Sequence, residues 1–379
     1  PEGSTVIVTT ELENQGYVVE YNEGVYSVVA GKVLNSTTGK KYATLQEAID
    51  EANVNNVIVL LKDITENVTI SKNLTIDGDD FNYTGNISVD NSVNSNVVAT
   101  IKNVNFVNGT GYAIKTDRIK SITVENCTVN NYSFLYANKS TLTVVVKNVE
   151  VKNGNYGFHW SNGTTATLEN VEMTDVTYGL YIQNNASKTI NLKNCNITNI
   201  AIWEKASANQ TFNFEGTNTV GTLSSSQYAK YVLVAADATL TAPEGSTVST
   251  SVDGYDVKYE GGVYKVVANN VKIERTGATF ATIQEAIDAA QTGDKVVLLE
   301  NIELTEADCV VGADRKVLVD VANKDITLDM NGKKISVTHM DEFTNDYIVA
   351  VIRVGDGAGL TVTGNGIIDV KTLDNNPDI

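Results

Sequence analysis

The sequence predicts an all-β protein, a parallel β-helix built from tandem units, and three observations carry that prediction. A long segment occurs twice at a fixed offset. Inside the first occurrence runs a shorter period, marked by asparagines at 103, 126, 148, 170 and 194. The composition is rich in Asn, Thr, Val and Gly with only three prolines, which favours strands joined by tight polar turns.

The long repeat sets the domain organisation. Residues 17–33 read YVVEYNEGVYSVVAGKV and residues 255–271 read YDVKYEGGVYKVVANNV. Residues 42–64 read YATLQEAIDEANVNNVIVLLKDI and residues 280–302 read FATIQEAIDAAQTGDKVVLLENI. Both pairs lie 238 residues apart, 255 − 17 and 280 − 42. PEGSTV also occurs twice, from Pro1 and from Pro243, at an offset of 242, so the first copy carries four extra residues before Tyr17. Farther on, NLTIDG at Asn73 resembles DITLDMNG at Asp325. The expected parts are the C-terminal tail of a preceding unit (1–30), a complete unit (31–268) and the N-terminal part of a second unit (269–379). A chain cut inside a repeat at both ends, without an initiating methionine or signal peptide, is expected to come from a longer protein with further copies.

The short repeat describes the coils. Two residues before each marker asparagine stand Ile101, Val124, Val146, Leu168 and Leu192. Just after it come Val104, Cys127, Val149, Val171 and Cys195, and two residues later Phe106, Val129, Val151, Met173 and Ile197. Alternating apolar residues mark strands with one buried face. Asn103, Asn126, Asn148, Asn170 and Asn194 are expected at a bend, stacked so that their side chains hydrogen-bond in a ladder. A second polar column follows at Asn108, Asn131, Asn153, Asp175 and Asn199. Residues before the ladder alternate in sign, as Lys102, Glu125, Lys147, Glu169 and Lys193, a pattern that helps hold one register. Cys127 and Cys195 fall in one inward column three rungs apart, roughly 14 Å at β-sheet spacing, too far for a disulfide. With Cys309 they make a sparse, odd set without C-x-x-C spacing, and no metal site or cofactor is expected.

The run YATLQEAIDEA, followed by VIVLLKDITENVTISKNLTIDG, resembles the opening of pectin-lyase-like right-handed β-helix domains, the pectin methylesterases above all. The resemblance implies a right-handed parallel β-helix whose T-x-Q-x-A segment is a short helix capping the first coil. Leu45, Ala48, Ile49 and Ala52 have the spacing of a one-sided helix, with Thr44 as N-cap and Glu47 at the third helical position. Thr282, Glu285, Ala286 and Ile287 repeat the pattern. Activity is not implied. The QDTL-like segments and paired aspartates of the esterases are absent. The lyases' acidic calcium cluster beside a basic residue is absent too, since the complete unit has only Arg118. Units of this size with Asn/Thr-rich coils are also similar to tandem-repeat adhesin-like surface proteins of gut bacteria and archaea, a likeness of architecture.

Charge narrows the partners. A net charge of −18 without a basic patch excludes nucleic acid and anionic membrane surfaces. No apolar run nears the roughly 20 residues of a membrane span, so no membrane insertion is expected of this segment. The candidate ligand residues are few. Glu150 and Glu172 share an outward column on adjacent coils, as a glycosidase pair, half of a calcium site or two solvated carboxylates. The third strand of each coil is aromatic: GYAIK, YSFLYANK, YGFHWSNG, YGLYIQNN and AIWEK. Alternation places Tyr156, Phe158 and Trp160 inside, with Tyr178, Leu180 and Ile182, and leaves His159, Tyr181 and Trp203 outward to stack on sugar faces. DGDD at Asp77 and GDG at Asp356 read as turns, because Phe81 and Asn82 break the EF-hand pattern. Asn138, Asn162 and Asn185 head Asn-x-Ser/Thr triplets at expected turns.

These features point to a non-catalytic extracellular or cell-surface repeat protein, an adhesin or structural stalk with a carbohydrate or host-surface ligand. Open sheet edges at its ends suit end-to-end self-association. A polysaccharide-binding or polysaccharide-degrading protein and a viral or phage fibre are the alternatives.

Overall fold

The computed structural model describes residues 5–14, 16–22, 24–91, 96–138, 142–161, 165–183, 187–202, 209–224, 229–305, 308, 310, 317–337 and 350–370. Contacts divide the chain into two compact units, residues 1–251 with 259–265, and residues 252–258 with 266–379.

The first unit is a parallel β-solenoid, as the short period predicts. Three strand columns make its faces. On the first, Asn56–Leu60 pairs with Leu74–Asp77, then Val98–Lys102, and stacking continues through Lys188–Lys193, Gln210–Glu215 and Ala229–Leu233 to Val248–Thr250. The second face begins with Ile64–Thr65, Asn82–Thr84 and Asn105–Val107. The third runs from Val68–Ile70 through Ile87–Asp90 and Tyr112–Asp117 to Ser133–Asn138, Tyr156–Trp160 and Tyr178–Ile182. In the middle coils one long strand spans the first two faces, as in Ser121–Asn130, Thr143–Lys152 and Thr165–Thr174.

The core is the stack of inward residues. Ile76, Ile101, Val124, Val146, Leu168, Leu192 and Phe214 form one buried column on the first face, and Val104, Cys127, Val149, Val171 and Cys195 another past the bend. Burying each large aliphatic side chain contributes about 1.5–3 kcal/mol. Both cysteines are free, and their thiols donate to backbone carbonyls, Cys127 Sγ to Glu125 O at 3.3 Å and Cys195 Sγ to Leu168 O at 3.4 Å. Cys309 lies outside the described residues.

The bend between the first two faces explains the marker asparagines. Asn103, Asn126, Asn148, Asn170 and Asn194 all have φ of 51–54°, a left-handed conformation that Asn tolerates because its short amide bonds locally. Their side chains form the expected ladder. Asn126 Nδ2 donates to Asn103 Oδ1 (3.3 Å), Asn148 to Asn126 (2.9 Å), Asn170 to Asn148 (2.9 Å) and Asn194 to Asn170 (3.5 Å). Asp77 begins the ladder by accepting from Asn103 Nδ2 at 2.9 Å. At the second bend Asn108, Asn131, Asn153 and Asp175 are left-handed too. Asn199 departs from that column. It sits within the strand Asn196–Ile202, where it accepts from Gly179 N and donates to Thr177 O.

The alternating charges stack as expected and run one rung farther each way. Asp77, Lys102, Glu125, Lys147, Glu169, Lys193 and Glu215 occupy consecutive registers. Ion pairs join Lys102 to Asp77 (3.1 Å), Lys147 to Glu169 (2.9 Å) and Lys193 to Glu215 (2.7 Å).

The helix Leu45–Glu51 packs Leu45, Ala48 and Ile49 inward, and Thr44 Oγ1 accepts from Glu47 N at 3.2 Å. Its first amides, Leu45 N and Gln46 N, are taken by the Glu66 carboxylate. The motif glutamine has a clear task. Gln46 Oε1 accepts from Thr69 N (2.7 Å) while its Nε2 donates to Thr69 O (3.2 Å), so a side-chain amide pairs with the open edge of the third face as a strand would. Lys72 Nζ closes the other helix end by donating to Asp50 O and Ala52 O.

The second unit repeats these devices. Lys295–Leu298, Asp325–Asp329 and Gly359–Thr363 stack in parallel, as do Ile302–Leu304, Lys334–Val337 and Ile367–Val370, and Val317–Val321 with Ala350–Val354. Helix Ile283–Ala289 carries a full capping box between Thr282 and Glu285. Gln284 grips Asp320 N and O, and Lys324 donates to Ile287 O, Asp288 O and Ala290 O. The buried Asp294 receives Arg275 through two bonds, 2.5 and 2.8 Å, and also Gln291 N at 2.8 Å. No described helix is long and apolar enough to cross a membrane.

Candidate functional site: an aromatic face on the third column

The third strand column gathers aromatic rings on its outer side in a way that simple alternation does not predict. Each of these strands begins with an outward residue (Tyr112, Ser133, Tyr156, Tyr178). Two consecutive buried residues follow: Ala113 and Ile114, Phe134 and Leu135, Gly157 and Phe158, Gly179 and Leu180. Next comes a second outward position, held by Lys115, Tyr136, His159 and Tyr181. Phe158 and Trp160 are in the core as expected, whereas Tyr156 and Tyr178 are outside it. The doubled inward step is the reason, and glycine makes it fit: a Cβ on Gly157 would lie 2.4 Å from Met173 Sδ, and one on Gly179 would lie 2.6 Å from Ile197 Cγ2.

The result is a contiguous platform of five tyrosines around one histidine. Tyr156 stacks on Tyr178 (centroids 5.3 Å apart, planes 18° apart) and on His159 (5.1 Å, 29°). Tyr136 and Tyr181 present their edges to His159 from the rungs on either side, each at 4.9 Å. Tyr112 reaches Tyr156 at 5.8 Å across the small Ser133 between them. His159 is fixed at both nitrogens. Its Nε2–H donates to Gln183 Oε1 at 2.9 Å, so Nδ1 carries the lone pair that accepts from the Tyr112 hydroxyl at 2.5 Å. Burial lowers its pKa, only partly offset by the Gln183 bond, so the ring is neutral at pH 7. Burial and the neighbouring tyrosines raise the Tyr112 pKa in turn.

Glu150 and Glu172 are register partners on the second face, separated from the aromatic platform along the chain by the left-handed bend at Asn153 and Asp175. Both are partly exposed, and Lys152 forms an ion pair with Glu150. Lys152 is held above its usual pKa by that bond and by the fields of Glu150, Glu172 and Asp175. Arg118 is bound bidentately by Asp90, at 2.9 and 2.6 Å. Asp79 and Asp80 are left-handed turn residues, and Asp77 Oδ1 caps Asp79 N. Among the described residues no group of three or more His, Cys, Asp or Glu side chains gathers as for a metal ion. Asn138 ends the strand Ser133–Asn138. Trp203, Asn162 and Asn185 lie outside the described residues.

Alternation places His159 and Tyr181 on the outer side, but His159 is only 9% exposed, covered by the surrounding rings, and so is not open to stack on a sugar as expected. The same reasoning did not group Tyr112, Tyr136, Tyr156 and Tyr178 with them. The Tyr-Gly pairs at 156–157 and 178–179 were the available signal, since a glycine facing the core after each tyrosine marks the doubled inward step.

In comparisons with known proteins, no family model, no curated protein and no solved structure matches this chain.

Proposed function

We propose that this chain belongs to a non-catalytic extracellular or cell-surface β-helix repeat protein, an adhesin whose solenoid is a stiff stalk and whose tyrosine–histidine platform meets carbohydrate. The platform is the observation that carries this reading. Five phenol rings and an imidazole lie against one another over four successive coils, a span of roughly 14 Å at β-sheet spacing. Ring faces suit the apolar faces of pyranoses, and phenol hydroxyls suit their polar edges. The net charge of −18 favours neutral or basic glycans over polyanions. Resemblance of the 42–78 segment to pectin-lyase-like domains supports the architecture and is neutral on chemistry.

The test is titration of the protein with a panel of plant, mucin and microbial oligosaccharides, with released products followed by mass spectrometry. Binding without product is expected, weakened about tenfold or more by Tyr156→Ala or Tyr178→Ala, the equivalent of about 1.4 kcal/mol of ring stacking. The competing reading is a polysaccharide-degrading enzyme, favoured by the adjacency of Glu150 and Glu172 on neighbouring rungs. Product that disappears in Glu150→Gln or Glu172→Gln establishes that reading and removes ours. No binding to any glycan removes the carbohydrate role of the platform.

A further inference from the structure

The hydrogen bond between Tyr112 and His159 can do chemistry that a binding surface does not use. The two residues stand two rungs apart, since Tyr112 is level with Ser133 and the neighbouring Tyr136 with His159. Ser133 is small, so the half-buried Tyr112 ring reaches past it and delivers its hydroxyl to His159 Nδ1 at 2.5 Å. On the far side of the imidazole, Gln183 Oε1 accepts from Nε2 at 2.9 Å. That bond leaves Nδ1 as the basic nitrogen, aimed at a phenol proton.

A phenol gives up an electron far more readily when its proton leaves at the same moment, because the phenol radical cation is a strong acid. A positioned base supplies the exit. Oxidation through a preformed phenolate is closed at neutral pH, since burial and the neighbouring tyrosines raise the Tyr112 pKa well above its usual value. His159 is able to receive the proton because burial keeps its ring neutral. The products are sheltered as well. Tyr156 lies against the imidazole (5.1 Å, 29°) and against Tyr112 (5.8 Å, 30°), while Tyr136 is 4.9 Å from the imidazole and 5.4 Å from Tyr112. Ring faces favour a cation beside them, and the net charge of −18 favours it too.

We propose that Tyr112 and His159 form a proton-coupled redox pair that traps one-electron oxidants of the peroxyl-radical class. The oxidant takes one electron from Tyr112 and leaves as its anion. In the same step the phenolic O–H bond breaks and an N–H bond forms at His159 Nδ1. A neutral phenoxyl radical then stands beside an imidazolium that Gln183 Oε1 still holds. A donor of the ascorbate class, itself oxidised to a radical, returns the electron, and His159 returns the proton. The inference goes beyond the glycan reading and does not depend on it, for its test contains no sugar.

The test exposes the full chain at pH 7 to ruthenium tris-bipyridine photo-oxidised by a light flash. Tyrosyl radical is followed by absorbance and, after rapid freezing, by electron paramagnetic resonance. A fast phase that slows in deuterated water is expected. Tyr112→Phe, which removes only the hydroxyl, should abolish that phase and leave the slower oxidation of the other tyrosines. His159→Gln should slow it about a hundredfold, the lower end of what a positioned base contributes. A fast phase that persists in Tyr112→Phe overturns the proposal, as does one that is not slowed in a His159→Gln chain folded by circular dichroism. If that variant fails to fold, the parent decides alone: no fast phase, or a fast phase indifferent to deuterium, also overturns it.

Discussion

Replacing Asn148 with alanine severs the asparagine ladder at its middle and leaves a β-carbon in left-handed backbone. Two side-chain hydrogen bonds are lost, the 2.9 Å donation to Asn126 and the 2.9 Å acceptance from Asn170. The site is exposed, so water replaces both partners and each bond is worth about 0.5 kcal/mol, the low end of the usual range. Holding alanine at φ 51° costs about 1 kcal/mol more. Asn148→Ala is therefore expected to destabilise the central coils by about 2 kcal/mol, and Asn148→Gly, which is free of the backbone penalty, by about 1 kcal/mol. Solenoid coils are stabilised mainly by their neighbours, so the assay is native-state hydrogen exchange over residues 121–175 at graded urea, with whole-chain unfolding alongside. Alanine and glycine variants that match each other within about 0.5 kcal/mol, or both match the parent, would refute the reasoning, for then neither ladder nor conformation holds the bend.

Three further expectations follow from titrating groups. Burial pushes the thiols of Cys127 and Cys195 up to about 12 and about 11; at pH 8 both stay protonated, and iodoacetamide should leave them unmodified until denaturant is added, as peptide mass mapping can show. Arg275 and the Gln291 amide hold Asp294 down at about 2, so its contribution is full above the ordinary carboxylate range and is lost as pH falls from about 4 toward 2; Arg275→Gln should move the acid transition of the second unit to higher pH in a circular-dichroism titration, and an unmoved transition would remove the pair from the account. Lys188, 2% exposed with its ammonium 5.0 Å over the Trp160 ring, is lowered by burial to about 8; the unfolded chain binds the extra proton between about pH 8 and the ordinary lysine value near 10.4, so stability should rise with pH across that window, and Lys188→Met should flatten the rise and raise the thermal midpoint at pH 7.

Much of this protein was legible in its sequence because a solenoid is nearly one-dimensional. Each coil contacts mainly the coils before and after it, so the period that places Asn103, Asn126, Asn148, Asn170 and Asn194 in one column of text places them in one column of space. The alternating charges from Lys102 to Lys193, the buried thiols and the capping helices at Thr44 and Thr282 followed by the same logic, since each depends on spacing along the chain. What the sequence did not show was decided by events off the period. The doubled inward step at Gly157 and Gly179 turned Tyr156 and Tyr178 out of the core, because the chain leaving the second bend must bring two small or apolar residues inside before alternation resumes. That step, together with the small Ser133, drew Tyr112, Tyr136, Tyr156, Tyr178 and Tyr181 around His159, a grouping drawn from four coils that no local pattern contains. Tertiary structure likewise decided the role of the motif glutamines, since Gln46 and Gln284 meet Thr69 and Asp320 only once the coil has closed, and a side chain completes hydrogen bonds that the end of a parallel sheet would otherwise leave open.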